Sequence, residues 1–190
     1  MMNVKMTDTS IRLRSIGGSD LPFLGQVYAS TRTEEMKRVP NWSTEMINAF
    51  LESQFQLQHE YYQKNYTGGN FWVIEKKGKS IGRLYIHENF QDRGVRIIDI
   101  TLLPAWRNQG IGQSILRDIM REARELNRPL TIHVESFNPA MQLYKKLGFQ
   151  KISETNGVYH LLEWKSAVGA ETSIIDRQND YDARFTNTHD

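Results

Sequence analysis

Residues 97–119, IIDITLLPAWRNQGIGQSILRDI, decide how the chain is read. A strongly apolar strand over about 95–103 stops at Pro104, and a short loop over 104–110 carries Arg107, Asn108, Gln109 and Gly110. Beyond it, Ile115, Leu116, Ile119, Met120 and Ala123 recur at helical spacing, which predicts a helix through about Leu126. The first turn of a helix has N–H groups without intrahelical partners, and the aligned peptide dipoles place partial positive charge there. Gly110 and Gly112 let backbone approach a diphosphate where a Cβ would obstruct it, and Arg107 can add a full charge. The pattern therefore predicts an anion site, the bland alternative being a strand-to-helix turn eased by glycine. No lysine follows Gly112, which excludes a P-loop, and Ile115 stands where a dinucleotide fingerprint needs its third glycine.

Working outward, residues 10–16 alternate polar and apolar as a half-buried strand, with Ile11 and Leu13 on one face and Arg12 and Arg14 on the other. Ser19, Asp20 and Pro22 read as the start of a helix to about Arg32. A second helix spans about 43–65, its apolar stripe being Met46, Ile47, Phe50, Leu51, Leu57 and Tyr61. Strands over 71–75 and 80–88 form a hairpin. On the other side of the key stretch come a strand over 130–135, a helix over about 139–147 stopped by Gly148, and strands over 149–153 and 157–164. Antiparallel hairpin strands followed by a strand-helix-strand crossover predict an α/β (α+β) fold, with a mixed, mostly antiparallel sheet of about seven strands flanked by about four helices.

The chain has 190 residues, within the roughly 100–200 expected of one domain. Its hydrophobic fraction of 39% reaches the ordinary globular range of about 45–50% once the 13 glycines are counted, which excludes a disordered chain. The expected organisation is a flexible N-terminus over 1–9, a folded domain over 10–165 and a polar tail over 166–190. With no cysteine, disulfides, thiolate zinc sites and a cysteine nucleophile are excluded. A net charge of +2 is too small for a dedicated nucleic-acid surface. No run approaches 18 apolar residues and the N-terminus has no apolar signal segment, so a soluble, cytoplasmic protein without a membrane partner is expected. The five histidines show no metal-ligand spacing and no Gly-x-Ser-x-Gly elbow exists, so no metal is expected. Arg117, Arg121, Arg124 and Arg128 line one helix face, interleaved with Glu122 and Glu125, and read as a solvated surface.

The second informative stretch, LTIHVESFNPAMQLYKKLGF over residues 130–149, follows at the expected distance. Together, strand-RNQGIG-helix and strand-NPAMQLYKKLGF resemble the GNAT superfamily of acetyl-CoA-dependent N-acetyltransferases, and the element order resembles theirs from about Ser10 to Trp164. The resemblance implies acetyl-CoA as co-substrate. Backbone groups of Thr101, Leu102 and Leu103 would pair with the pantetheine arm. Amides of Asn108, Gln109, Gly110, Ile111, Gly112 and Gln113, beside Arg107, would hold the pyrophosphate, and Asn138 would contact the pantetheine. Tyr144 would protonate the departing thiolate, while the Leu102 N–H would hold the oxyanion. Asn138 lies six residues before Tyr144 where many relatives have seven, which puts Phe137 in that slot.

For the general base, Asp99, His133, Glu135 and a water relay stay open; His133 and Glu135 share a strand face by their spacing of two. The resemblance places the acceptor, a small-molecule or peptide amine, near Glu34, Glu35 and Trp42, where carboxylates beside an aromatic wall suit a cation. Those carboxylates equally fit a solvated helix end. A monomer or homodimer is expected, and a catalytically retired CoA-binding sensor of the same fold is the rival reading.

Overall fold

The computed structural model describes residues 4–166. From residue 167 on, the expected tail lies outside them. Strand β1 (Ile11–Ser15) precedes helices α1 (Leu21–Met36) and α2 (Thr44–Asn65). Strands β2 (Asn70–Lys76), β3 (Lys79–His87) and β4 (Val95–Leu102) follow, then α3 (Ile111–Glu125), β5 (Leu130–Glu135), α4 (Met141–Lys146), β6 (Gln150–Thr155) and β7 (Tyr159–Trp164). The strand order is β1-β2-β3-β4-β5-β7-β6. Lys77 and Gly78, at φ 49° and 76°, form the two-residue turn that only antiparallel neighbours can share. β1 pairs β2, and β7 pairs both β5 and β6, antiparallel; β4 runs parallel to β5. This is the mixed sheet expected from the element order.

The parallel ladder covers Val95↔Leu130, Arg96↔Thr131 and Ile97↔Ile132, although β4 continues to Leu102. There the chain divides into two compact units. One takes Thr9–Tyr85 and Asp99–Gly112; the other takes Ile86–Ile98, the described residues from Gln113 onward and those before Thr9.

In the first unit, α1 and α2 bury Leu24, Val27, Tyr28, Phe55 and Tyr62. α2 runs as expected, but its stripe is displaced: Met46 and Leu57 are 51% and 50% exposed, and the buried positions are Leu51, Phe55, Gln58 and Tyr62. A glutamine on the inner face hid the true stripe from a reading by apolar residues alone. α1 extends to Met36, beyond the expected Arg32, and Met36 itself is buried. Asp20 does not cap α1: it accepts from the Gly17 N–H at 2.7 Å and from Arg14 at 2.8 and 2.9 Å.

In the second unit, α3 buries the expected Ile115, Leu116, Ile119, Met120 and Ala123, and β5 turns Leu130, Ile132 and Val134 inward. Residues 4–8 form neither helix nor strand, yet Val4 is buried and Thr7 donates its N–H (2.9 Å) and hydroxyl to Asp118. Arg121 donates to Asp118 at 2.7 Å and to the Lys5 carbonyl, Arg124 lies over the Trp164 ring at 5.8 Å, and Arg128 donates to the Glu88 carbonyl at 3.1 Å. Three of the four arginines read as a solvated face thus have partners in the fold.

Candidate functional site

At its C-terminal end β4 turns through residues 104–106, a single 3-10 turn, into the glycine loop. Asn108 and Gly110 take φ of 59° and 77°, the left-handed values that lift the chain into the start of α3 at Ile111. Among the described residues, a Cβ at Gly110 would meet nothing within 4 Å, and one at Gly112 only Leu102 Cδ1 at 3.9 Å, so this cradle is open where a ligand would need it. Ile111 is buried and anchors the turn. The Gln109 side chain folds back to the Ala105 carbonyl at 2.7 Å, beside the backbone amides at the start of α3 that have no intrahelical partner.

Arg107 points elsewhere than expected. Its Nε donates to the Leu102 carbonyl at 2.7 Å, and Nη2 donates to Ser30 Oγ at 2.9 Å and the Ser30 carbonyl at 3.4 Å. Burial holds its pKa below the ordinary guanidinium value. Leu103 N–H donates to the Ile81 carbonyl at 2.8 Å. Backbone groups alternate edges along a strand, so those of Leu103 and Thr101 face β3 and those of Leu102 face the opposite edge. Of the three backbone positions expected to pair with a ligand arm, Leu102 is the one so turned.

Sequence reading missed a buried polar cluster beneath this strand. Arg83, 2% exposed, donates through Nη2 to Asp99 Oδ2 at 2.6 Å and to Gln58 Oε1 at 2.8 Å; Thr101 Oγ1 donates to Asp99 Oδ1 at 2.8 Å. The guanidinium lies 5.3 Å from the Tyr85 ring centroid. Burial raises both neighbouring phenols, Tyr62 strongly and Tyr85 to about 12. Asp99, a candidate base, is therefore matched by a buried cation. The available signal was a lone arginine inside the apolar run IGRLYIH.

In the second unit, Tyr144 sits on α4, 4% exposed, with Phe149 edge-on at 5.7 Å. Phe149 N–H donates to the Tyr144 carbonyl and Gly148 N–H to that of Lys145, both at 3.0 Å, with Gly148 at φ 91°. These paired bonds and the Tyr144–Phe149 contact make a Schellman stop, so LYKKLGF pins the tyrosine from both its backbone and its ring. Asn138 uses its side-chain oxygen locally, accepting from the Ala140 N–H at 2.8 Å, while Phe137 is 72% exposed. On β5, His133 and Glu135 share the half-buried face, and Arg96 Nη1 lies 3.4 Å from His133 Nδ1.

The positions expected to receive an amine are spent along their own helix: Glu34 pairs with Lys37 at 2.7 Å and Glu35 with Arg32 at 3.2 Å. Trp42 packs edge-on against Phe50 at 5.2 Å. Among the described residues no group of three or more His, Asp or Glu could hold a metal, and no helix is long and apolar enough to cross a membrane.

The strand order, the early end of the β4–β5 ladder, the glycine loop before α3 and the pinned tyrosine of α4 define a GNAT-type acetyltransferase fold. The resemblance read from the two motifs is borne out over residues 67–151, which match the family model of the acetyltransferase (GNAT) domain. It is 32% identical over 97 residues to a thialysine N-epsilon-acetyltransferase of Mus musculus, covering 45% of this chain and 56% of that one. It is 32% identical over 66 residues to an N-alpha-acetyltransferase of Sulfurisphaera tokodaii, covering 33% and 40% respectively. The chain thus spans about half the length of the curated relatives it matches. Its fold is similar to that of the PaiA N-acetyltransferase of Thermoplasma acidophilum in complex with coenzyme A, at TM-score 0.60 and 18% identity over 83% of this chain and 100% of that one.

Proposed function

We propose that the chain is an N-acetyltransferase that moves an acetyl group from acetyl-CoA to a primary amine of a small molecule or peptide. The observation that carries the reading is the open glycine cradle at the start of α3, where amides of residues 108–113 would hold the pyrophosphate of the co-substrate. The relatives named above support it, since two act on amines by name and a protein of similar fold was solved with coenzyme A.

In the proposed reaction a neutral amine attacks the thioester carbonyl, the carbon–sulfur bond breaks and the amine proton is lost. The Leu102 N–H would hold the developing oxyanion. Tyr144 would give its proton to the departing thiolate; a thiol of pKa about 8.5 and a phenol of about 10 are matched well enough for that transfer. Because Arg83 matches Asp99, the amine proton is left to His133, Glu135 or a water relay.

The test is thiol release from acetyl-CoA across polyamines, amino acids and peptide N-termini, with CoA affinity measured by calorimetry. Tyr144→Phe is expected to lower kcat by about 100-fold, the lower end of general-acid effects, with CoA affinity retained. Unchanged kcat would remove Tyr144 from the mechanism. Tight CoA binding without thiol release on any amine would make the chain a sensor of the same fold.

A further inference from the structure

Arg107 lies in the loop that carries the phosphate cradle, and a cation there invites assignment to the phosphates. Its hydrogen bonds point the other way. Nε is committed to the Leu102 carbonyl at 2.7 Å, and Nη2 to the hydroxyl and carbonyl of Ser30 on α1. All of these groups belong to the first unit. Resting on the acetyltransferase reading, we propose that Arg107 is a positioning residue: it sets the edge of β4 on which the Leu102 N–H meets the reacting carbonyl, and it is not a phosphate ligand.

The reasoning starts from strand alternation. Because Leu103 donates toward β3, the N–H and the C=O of Leu102 leave the strand together on the opposite edge. An N–H there stabilises an oxyanion; a bare carbonyl beside it would repel that same charge and would compete for any donor on the ligand. The guanidinium removes this conflict. It accepts none of the new charge and touches no reacting atom, but it saturates the carbonyl with a charge-assisted hydrogen bond and leaves a positive field on that edge. Ser30 holds the far side of the planar fork, which fixes its plane in a way a lysine's single ammonium could not reproduce. The partial burial that lowers its pKa also weakens the screening of this field by solvent.

The experiment compares wild type with Arg107→Gln, Arg107→Lys and Ser30→Ala. Calorimetry gives the dissociation constant for CoA, and thiol release with the most active amine gives kcat and KM. Loss of one hydrogen bond from a charged donor at a site that matters in the transition state is worth about 10- to 100-fold in rate. Arg107→Gln is therefore expected to lower kcat by that factor while the CoA dissociation constant moves less than about threefold. Arg107→Lys should fall with it, since charge alone does not restore the clamp, and Ser30→Ala should lower kcat by a smaller factor in the same direction. CoA affinity weakened tenfold or more with kcat retained, or full rescue by lysine, would make Arg107 a phosphate ligand and overturn the proposal. Wild-type kcat in all three folded variants would overturn it too. Should the Arg107 variants fail to fold by circular dichroism, Ser30→Ala decides alone: unchanged kcat refutes the clamp. A wild type that binds CoA and turns over while its variants match it sinks only the positioning role; a wild type that binds no CoA at millimolar concentration sinks the acetyltransferase reading beneath it.

Discussion

At the scale of single residues, the least visible determinant is Gly82. It sits in the middle of β3, where a glycine normally weakens a strand, and no local pattern explains it. A Cβ there would stand 2.2 Å from the Thr101 carbonyl oxygen, so β3 and β4 can approach as they do only with a hydrogen at that position. Gly82→Ala is expected to destabilise by about 2 kcal/mol or more, the range of overpacking against backbone, read as a lower urea midpoint with an unchanged slope. Arg83, its neighbour, was equally opaque: its partner Asp99 lies on another strand, and nothing local couples the two. Asp99→Asn leaves a cation that is 2% exposed without its counter-charge, and a loss of about 3–5 kcal/mol is expected from thermal or urea unfolding. An equally stable Asp99→Asn protein would mean that Gln58 alone satisfies the guanidinium.

At the scale of elements, strong local signals and the structure agree. Pro104, the helical spacing after Gly110 and the stop at Gly148 bound their elements correctly because each acts through its own backbone. The rotation of α2 failed because it is set by a partner: α1 and β3 draw in the face carrying Gln58, whose amide meets Arg83. An apolar count cannot see a polar residue buried for its hydrogen bond. The candidate site divides the same way. The open glycine turn and the place of Tyr144 before a helix stop could be read from spacing, whereas the bonds of Arg107, Asn138, Glu34 and Glu35 depend on side-chain partners that spacing does not encode. The helix stop on α4 gives its own prediction. Gly148→Ala forces a side chain into φ 91° and is expected to cost about 1–2 kcal/mol. Because the Phe149–Tyr144 bond and ring contact depend on that turn, the role proposed for Tyr144 predicts that kcat falls more than CoA affinity does. A variant that loses stability alone would separate the turn from the role proposed for Tyr144.

At the scale of the whole molecule, each of the two units carries an acid-sensitive lock, local in sequence at Asp20 and joining segments 111 positions apart at Asp118. In the first, Asp20 receives two bonds from Arg14 and one from the Gly17 N–H; the Arg14 bonds lead in holding its pKa below the ordinary value. In the second, burial pushes Asp118 upward, but the Thr7 and Arg121 bonds outweigh it and the net shift is again downward. A carboxylate whose folded pKa is depressed binds protons more readily when unfolded. Its stabilisation is thus complete above the unfolded value of about 3.9 and is lost as pH falls through the folded value. Stability should therefore be flat from about pH 7 to 5 with respect to these groups and should drop steeply below about pH 4. Asp118→Asn turns one of the two oxygens that accept from Thr7 into a donor and removes the charge facing Arg121, so at neutral pH it should already be less stable than wild type. Its remaining acid dependence should be the shallower one that Asp20 supplies. Asp20→Asn should behave reciprocally, and in the double variant the two losses should add, since the two locks share no residue, leaving the dependence that the exposed Glu34, Glu45 and Glu154 supply. Urea midpoints at pH 7, 5, 4 and 3 measure this directly. A double variant with the wild-type slope would remove both locks from the acid sensitivity.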